Sequence, residues 1–535
     1  MMPATLSRAW SSPFRHGKPD DEEKPETSND PSDKRPTRLS VTETTAPTVP
    51  PPPHLFHNVV IPLILPVFLS SADGTVVATA LPAIAASFGN VEYLSWIVVA
   101  NLVASTVAAP AYGRLGDAFG RRRMMVVALG IFMAASALSA FAPNFWLLLA
   151  ARMLQGLGGG GLMTLAQALV GEHVPPRQRG SFQGYLSANI VAGTTIGPVM
   201  GGFITQAWGW HAVFLAYLPV GLTALYLLTR LPAGMRGTGA ASGFDLPGMV
   251  LLASFIVPLL LMVSQLQRLN AAALPGLGGL LALTAAGLTA LLWQQRRAAA
   301  PLLALPLLRI PAFWRSTVMG ACSGASLSAM MTFLPIYLQV VTGASPAQSG
   351  LLLIPLTGAV SSGSVLTGWL TSRTGRTAIF PAIGLTITAA SLVAAAIWGP
   401  SLSRIELSWL LAVGGLTQGS AMITAQITVQ SIAGPRQLGA AAASVQLSRS
   451  LGSAFGAAAA GAVLFGILSL LDVDAAGLFT RMVQYGPGTL DSLEPARRSI
   501  VLQEVANAFR GVFLTVACFS CTIVACAATL SIRRL

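Results

Sequence analysis

Long apolar runs separated by short polar connections set the pattern of this chain, and fourteen runs have the length of a membrane helix. Crossing a hydrocarbon core of roughly 30 Å takes about 20 apolar residues. The pattern predicts spans at 58–82, 94–112, 124–142, 145–170, 184–205, 211–230, 247–266, 275–294, 314–339, 348–370, 378–398, 408–430, 440–470 and 510–531. Barrel strands would instead alternate apolar and polar over about ten residues, so helices are expected. The composition agrees: 53% of residues are hydrophobic, 10% are charged and the mean hydropathy is +0.67, values foreign to a soluble globular domain.

Two polar stretches interrupt the pattern. Residues 1–56 are proline-rich, carry DDEEK and SDKRPTR, and close on TVPPPPHLF; they read as a disordered cytoplasmic tail. Without the apolar core of a cleavable signal, the first span is expected to direct insertion. Residues 471–509 are the second stretch, expected as an extracytoplasmic cap over the pore.

The net charge of +13 raises the question of nucleic acid, and the placement of the basic residues answers it. Beyond the tail they cluster on alternate connections: Arg114 and Arg121 to Arg123, Arg177 and Arg179, Arg230 and Arg236, Arg296 and Arg297, Arg373 and Arg376, and Arg436. The positive-inside rule makes these loops cytoplasmic, with both termini, and Arg533 and Arg534 after the last span. All four cysteines, Cys322, Cys518, Cys521 and Cys526, fall inside spans 9 and 14, which supports neither a disulfide framework nor a zinc site. Cys518 and Cys521 have ligand-like spacing but no nearby His or carboxylate, so packing is the better reading. No cofactor or metal is expected, and the absence of GxxxxGK[ST] argues against ATP as the motor.

An internal repeat carries more information. GRLGDAFGR at 113–121 and GWLTSRTGR at 368–376 share the frame G-x-L-x-x-x-x-G-R. Each follows the second span of a six-span half once spans 7 and 8 are set aside as an insertion. Duplicated halves are the mark of a secondary transporter, not of an enzyme. The expected organisation is a six-span bundle at 57–231, two inserted spans and linkers at 232–312, and a second six-span bundle at 313–535.

In the first copy, Gly113 and Gly120 let helix ends approach closely, while Asp117, Arg121 and Arg122 can pair across a conformational latch. A tight cytoplasmic turn with topology charges is the plainer reading. The copy resembles the loop signature of the major facilitator superfamily. In span 5, AGTTIGPVMGG holds Gly193, Gly197, Pro198, Gly201 and Gly202: the proline kinks the helix and the glycines permit close packing. This run resembles the superfamily's antiporter signature, which implies export. ADGTVVATALP, ARMLQGLGGGG, FDLPGMVLL and FLPIYLQVVTGASPAQSGLLLIP are similar to the fourteen-span drug:proton antiporter branch, the EmrB/QacA-type multidrug exporters, over roughly residues 58–531. The chain departs from that branch at Trp210, His211, Ala212 and Tyr217 ahead of Pro219, where Trp-Arg-Trp and then Asn are usual, and at Asn101, where tyrosine is common.

The resemblance implies an all-α integral membrane protein of the major facilitator fold: two pseudo-symmetric six-helix bundles plus two inserted helices. It also implies a multi-pass protein of the bacterial cell (inner) membrane, working beside a periplasmic adaptor where there is an outer membrane. A specific metabolite or siderophore exporter of the same fold is the alternative; a non-transporting membrane sensor would leave the charged residues without a task.

One carboxylate, Asp73, stands within FLSSADGTVVATALP, and the other full charge deep in the first half is Arg152 in NFWLLLAARMLQG. An aspartate at the centre of a membrane helix costs roughly 2.5–3.5 kcal/mol on insertion scales, so it should face a partner or water. Asp73 lies about nine residues from the outer end of its predicted span and Arg152 about seven, roughly 10–14 Å deep, so they can share a layer. A static ion pair is one reading. The other is a proton site, because water access and the distance to a cation both govern whether a carboxylate keeps its proton. The resemblance favours the second: these two positions match residues implicated in proton coupling in the family. The expected cycle carries protonated Asp73 inward, releases the proton and admits substrate, with Arg152 stabilising the deprotonated form.

One proton entering at about 100 mV and one pH unit supplies roughly 2.3 plus 1.4 kcal/mol, several hundred-fold for a neutral substrate but about tenfold for a monovalent cation. The second half carries no convincing intramembrane acid. Trp96, Asn101, Gln155, Met330, Phe333, Gln339, Gln418, Gln426 and Arg449 form the candidate substrate cavity, broad and apolar with a few hydrogen-bonding groups. A Met or aromatic stripe is more often packing, and Arg449 can serve either an anionic group or a backbone carbonyl.

Overall fold

The computed structural model describes residues 56–88, 94–231, 245–265, 274–298, 301–303, 305–471, 477–479, 481–482 and 495–530. The expected tail lies outside these apart from Phe56, which opens a short π-helical turn, Phe56–Val60, before the first helix.

The first half is α1 (Ile61–Phe88), α2 (Leu94–Phe119), α3 (Arg121–Ala140), α4 (Phe145–His173), α5 (Arg179–Trp208) and α6 (Trp210–Arg230). The inserted pair is α7 (Leu246–Gln265) and α8 (Leu274–Arg297). The second half is α9 (Pro311–Val340), α10 (Pro346–Thr374), α11 (Ile379–Trp398), α12 (Arg404–Gln418), α13 (Ser420–Ala433), α14 (Leu438–Leu471) and α15 (Pro495–Ala528). Among the described residues, eleven helices are long and apolar enough to cross a membrane. The long helices α4 and α5, with the pair α12 and α13 as one interrupted span, bring the number to fourteen. α12 and α13, at 15 and 14 residues, are each too short to cross alone.

The first half packs around Leu63, Val77, Leu129, Phe132, Leu165 and Phe214, all essentially buried. The second half holds two apolar clusters, one around Tyr337, Phe509 and Phe513 and one around Phe313, Leu385 and Val429. Val107 of α2, Leu252, Ile256 and Leu260 of α7, Leu291 of α8 and Leu447 of α14 form a fourth cluster, so the inserted pair seals a seam between the halves. Large apolar side chains such as Phe203, Leu222, Ile383 and Trp409 are exposed, as expected for a surface solvated by lipid.

Three details differ from the sequence reading. α1 runs to Phe88, six residues beyond the predicted end of its span. α15 begins at Pro495, within the stretch expected as an extracytoplasmic cap. Its early turns are helical because Val501, Val505, Ala508 and Phe509, at helical spacing, are buried against Tyr337 and neighbours, so one apolar face outweighs a polar composition. Span 12 bends at Gly419, where any side chain would strike Ser364 of α10.

Candidate proton and substrate sites

The run GLGGGG in α4 lets that helix press against two backbones. Gly156 and Gly160 abut the carbonyls of Asn101 and Ser105 in α2, and Gly158 abuts Ala128 and Phe132 in α3. This packing holds α4 so that Arg152 points into the bundle interior, entirely buried, opposite Asp73 of α1, which is 2% exposed.

Arg152 Nη1 donates to both Asp73 oxygens, at 2.8 and 2.9 Å, and to Gln155 Oε1 at 2.5 Å. Gln155 Nε2 donates in turn to Ser136 Oγ at 2.9 Å. Asn101 Nδ2 bridges Asp73 Oδ2, 3.2 Å, and the Arg152 carbonyl, 3.4 Å. Phe214 stacks 5.9 Å from the guanidinium carbon, and the Tyr217 hydroxyl sits in the field of Asp73 without hydrogen-bond geometry. Arg152 Nε and Nη2 are buried without a hydrogen-bond partner. One carboxylate thus neutralises the guanidinium while most of its donor capacity is unused. Asp73 and Arg152 share a layer although Asp73 is fifteen residues from the end of α1, because α1 projects beyond the start of α4.

The antiporter-like run in α5 lies against the helix that carries Asp73. A side chain at Gly193, Gly197 or Gly201 would collide with Ser71, Thr75 or Thr79 of α1, while Gly202 faces open space. Three glycines and three small hydroxyl residues, each set at a spacing of four, interleave on either side of Asp73. The hydroxyls satisfy themselves on their own helix, Ser71 on the Phe68 carbonyl, Thr75 on Ala72 and Thr79 on Val76, so this contact is steric.

The two repeat copies occupy equivalent places at the Arg-rich end. Gly113 of α2 meets the backbone of Gly439 at the start of α14, and Gly368 of α10 meets that of Gly180 at the start of α5. The receiving segments are themselves a repeat, Pro-Arg-Gln-x-Gly at 176–180 and 435–439, each containing a turn of 3-10 helix, at Pro176–Gln178 and Pro435–Gln437. One crossing is ionic. Asp117 accepts from the amides of Gly439 (3.0 Å) and Ala440 (3.2 Å) at the N-terminus of α14. It also pairs with Arg121 at 2.5 Å; Arg121 in turn reaches Glu172 at 2.8 Å and the Pro435 carbonyl at 3.2 Å. The other crossing is neutral: Ser372, at the position equivalent to Asp117, accepts from the amide of Ser181 and bonds its hydroxyl, both at 3.0 Å. Gly120 has φ 95°, a left-handed conformation that glycine adopts without strain, and turns the chain from α2 into α3. Arg122 lies apart from this latch and donates to the Thr229 carbonyl at the end of α6.

The nine candidate cavity residues do not share one cavity in this structure. Asn101 and Gln155 belong to the ion-pair network. Trp96 is 42% exposed near the far end of α2. Gln339 bonds Ser349 Oγ, Phe333 is buried in an apolar cluster, and Gln426 is buried with its amide unpaired. Met330, Gln418 and Arg449 do line space. A chamber of about 40 Å³ between the halves is lined by Ser187, Ile190 and Val191 of α5, Val360 and Ser364 of α10, Gln418, Met422 and Arg449. An apolar chamber of about 30 Å³ shares Gln418 and Val360 with it and reaches Met330, Leu392 and Leu411. Both are small beside the roughly 300–1,000 Å³ of a ligand pocket, so substrate requires them to widen. Sequence reasoning missed Ser136, Phe214 and Tyr217 around the ion pair, and the second repeat around Gly180 and Gly439, which its P-R-Q-x-G spelling could have disclosed.

Two repeated helical bundles crossing at one end, with a charged pair inside and chambers between them, define a multi-span secondary transporter. Residues 63–457 match the family model described as Major Facilitator Superfamily. The chain belongs to the major facilitator superfamily and is a transporter, not an enzyme. It is 32% identical over 404 residues to the multidrug transporter protein MdtP of Bacillus subtilis (strain 168), covering 75% of this chain and 74% of that one. It is 31% identical over 458 residues to an uncharacterized MFS-type transporter of Mycobacterium tuberculosis (strain CDC 1551 / Oshkosh), covering 84% of this chain and 66% of the relative. In fold it resembles the proton:xylose symporter XylE bound to 6-bromo-6-deoxy-D-glucose, with TM-score 0.58 at 15% identity, covering 88% of this chain and 95% of that one.

Proposed function

We propose that this transporter is a proton-coupled exporter of small lipophilic compounds, of the fourteen-span drug:proton antiporter branch. It would lie in the inner membrane with both termini and the Arg-rich loops cytoplasmic, passing substrate to a periplasmic adaptor where an outer membrane is present. The observation that carries the reading is the buried pair of Asp73 and Arg152. Similarity to a protein named a multidrug transporter adds the substrate class.

The chemistry follows from the charge balance of the pair. With Asp73 ionised the site is neutral; a proton on Asp73 leaves a guanidinium buried without a counter-ion, which a low-dielectric interior strongly disfavours. Protonation therefore needs water or a displaced Arg152, and either change loosens α1 from α4. If the Arg-rich end is cytoplasmic, the closed crossings there would be the gate on that side. Proton uptake from outside would then precede opening inward, where proton release frees Asp73 to draw Arg152 back and substrate loads.

The test is proton flux in liposomes holding purified protein and a panel of lipophilic dyes, comparing wild type with Asp73→Asn. Substrate-triggered flux in wild type that disappears in the variant is expected. Wild-type transport without proton movement, or flux surviving in Asp73→Asn, overturns the reading.

A further inference from the structure

The chamber between the halves has a cation at one end and no acid to match it. Arg449 of α14 lines the chamber, and its one hydrogen bond among the described residues runs from Nε to Gln446 Oε1 at 3.3 Å. Arg152 pairs with Asp73, and Arg121 with Asp117 and Glu172, but Arg449 enters no ion pair among the described residues. Its stem lies against Gly324 of α9, where a side chain would collide with it and with its carbonyl, so the guanidinium is directed by backbone packing.

A second group points the same way. Gln418, 7% exposed, lines both chambers, and its amide nitrogen and oxygen are both buried without a partner. A buried amide with neither atom satisfied costs stability, and so does an unpaired cation. Here that amide and the half-buried side chain of Arg449 face one space, joined by Ser323 and Ser187. Beyond Gln418 the second chamber is apolar, lined by Met330, Leu356, Leu392, Leu411 and Val516. A polar, cationic end thus opens toward an apolar one, with Gln418 and Val360 between.

We infer that the Arg449 and Gln418 end of this chamber receives the anionic group of an amphipathic substrate, a carboxylate or comparable oxyanion whose apolar body lies toward Met330 and Leu411. The inference rests on the proposed exporter reading and deepens it by naming the charge class. A guanidinium pairs with a carboxylate through two parallel N–H···O bonds, and an amide at hand can donate a third. Energetics favours the same class. A potential of about 100 mV is worth roughly fiftyfold per charge. Exchanging one proton inward for one monovalent anion outward moves two charges in the favourable sense. With one pH unit added, the attainable gradient is on the order of 10⁴-fold, against several hundred-fold for a neutral compound and about tenfold for a cation.

The test uses one fluorescent lipophilic scaffold in three forms, carboxylate, methyl amide and amine, with the full-length protein. Equilibrium binding is measured in detergent for wild type, Arg449→Gln and Arg449→Lys. Wild type is expected to bind the carboxylate best. Arg449→Gln should lose roughly 10- to 100-fold for the carboxylate while the amide changes by less than about threefold. Arg449→Lys keeps the charge but not the planar fork and should lose less, which guards against a folding defect. A wild type indifferent to the charge of the probe, or a parallel loss of carboxylate and amide in Arg449→Gln, overturns the inference. Liposomes then separate it from the reading beneath it. Carboxylate export that carries no proton refutes the coupling at Asp73 yet leaves the binding preference standing. Proton-coupled export of all three probes alike does the reverse.

Discussion

Separating the charges of Asp73 and Arg152 is the sharpest perturbation the structure offers. Asp73→Asn keeps the size of the side chain and removes the charge that faces Arg152 Nη1 at 2.8 and 2.9 Å. The guanidinium is fully buried, and its Nε and Nη2 have no other acceptor. Removing one partner of a buried pair generally costs about 3–5 kcal/mol, since the surviving charge is stranded. Asn101 and Gln155 remain beside the pair and soften the loss, so about 3 kcal/mol is expected for Asp73→Asn and a similar value for Arg152→Gln. The double variant leaves no buried charge and should cost no more than either single variant, about 3 kcal/mol, which is a coupling energy of about 3 kcal/mol. Reversible unfolding in detergent or bicelles measures all four corners of the cycle, and substrate-triggered proton flux measured beside it should be absent in every variant. Additive single losses would show that the two side chains do not depend on one another, and the coupling argument would fall. A stable double variant that still moves protons would remove the pair from the mechanism.

The glycine stripe and the latch give two further expectations. Gly197→Val drives a branched side chain into Thr75 of α1 and should destabilise the protein by about 1–3 kcal/mol, whereas Gly202→Ala, which meets nothing, should stay near wild type; equal thermal stabilities would contradict the interleaved packing. Asp117→Asn weakens the acceptor for the Gly439 and Ala440 amides, so their hydrogen exchange should quicken on the order of 10- to 100-fold by mass spectrometry, and unchanged exchange would show that the crossing does not depend on the charge.

Much of this molecule was legible as a sequence, for reasons that differ from element to element. Spanning helices followed from hydropathy because lipid demands a closed hydrogen-bonding unit in each crossing, and eleven of the described helices are long and apolar enough for it. The meeting of Asp73 and Arg152 followed from cost and depth together, since two opposite charges at similar depth have few other partners. What depth does not supply is azimuth, the side of a helix on which a residue lies. Asn101 and Gln155 were therefore assigned to the substrate cavity, although they face the ion pair. Phe214 looks like an ordinary apolar-run residue until α6 is seen against α4, and Tyr217 stands out in the sequence only as a departure from the resembled branch. The start of α15 escaped notice because four buried residues on one face, not the average over a window, make it helical. Repeated glycines were visible, but which backbone each would touch depended on the crossing of helices far apart in sequence, as Gly113 and Gly439 show.

One helix runs past a crossing, the chamber and α1. α5 starts at the neutral crossing with Gly180, walls the chamber with Ser187, Ile190 and Val191, and ends its interior run on the Ser71, Thr75 and Thr79 side of α1. From Gly180 to Gly201 is about 32 Å of helix at 1.5 Å per residue, roughly the thickness of the membrane's hydrocarbon. It is a lever that joins the crossing, the chamber and the helix of Asp73, and on the proposed exporter reading a tilt that parts the crossing also reshapes the chamber and shifts the wall behind Asp73. Its one built-in joint, Pro198, falls within the stretch that grips α1. Bending there would let the end against α1 yield while the crossing end stays rigid, so on the proposed exporter reading the compliance of this lever, more than any single contact, would set how faithfully a proton is converted into movement.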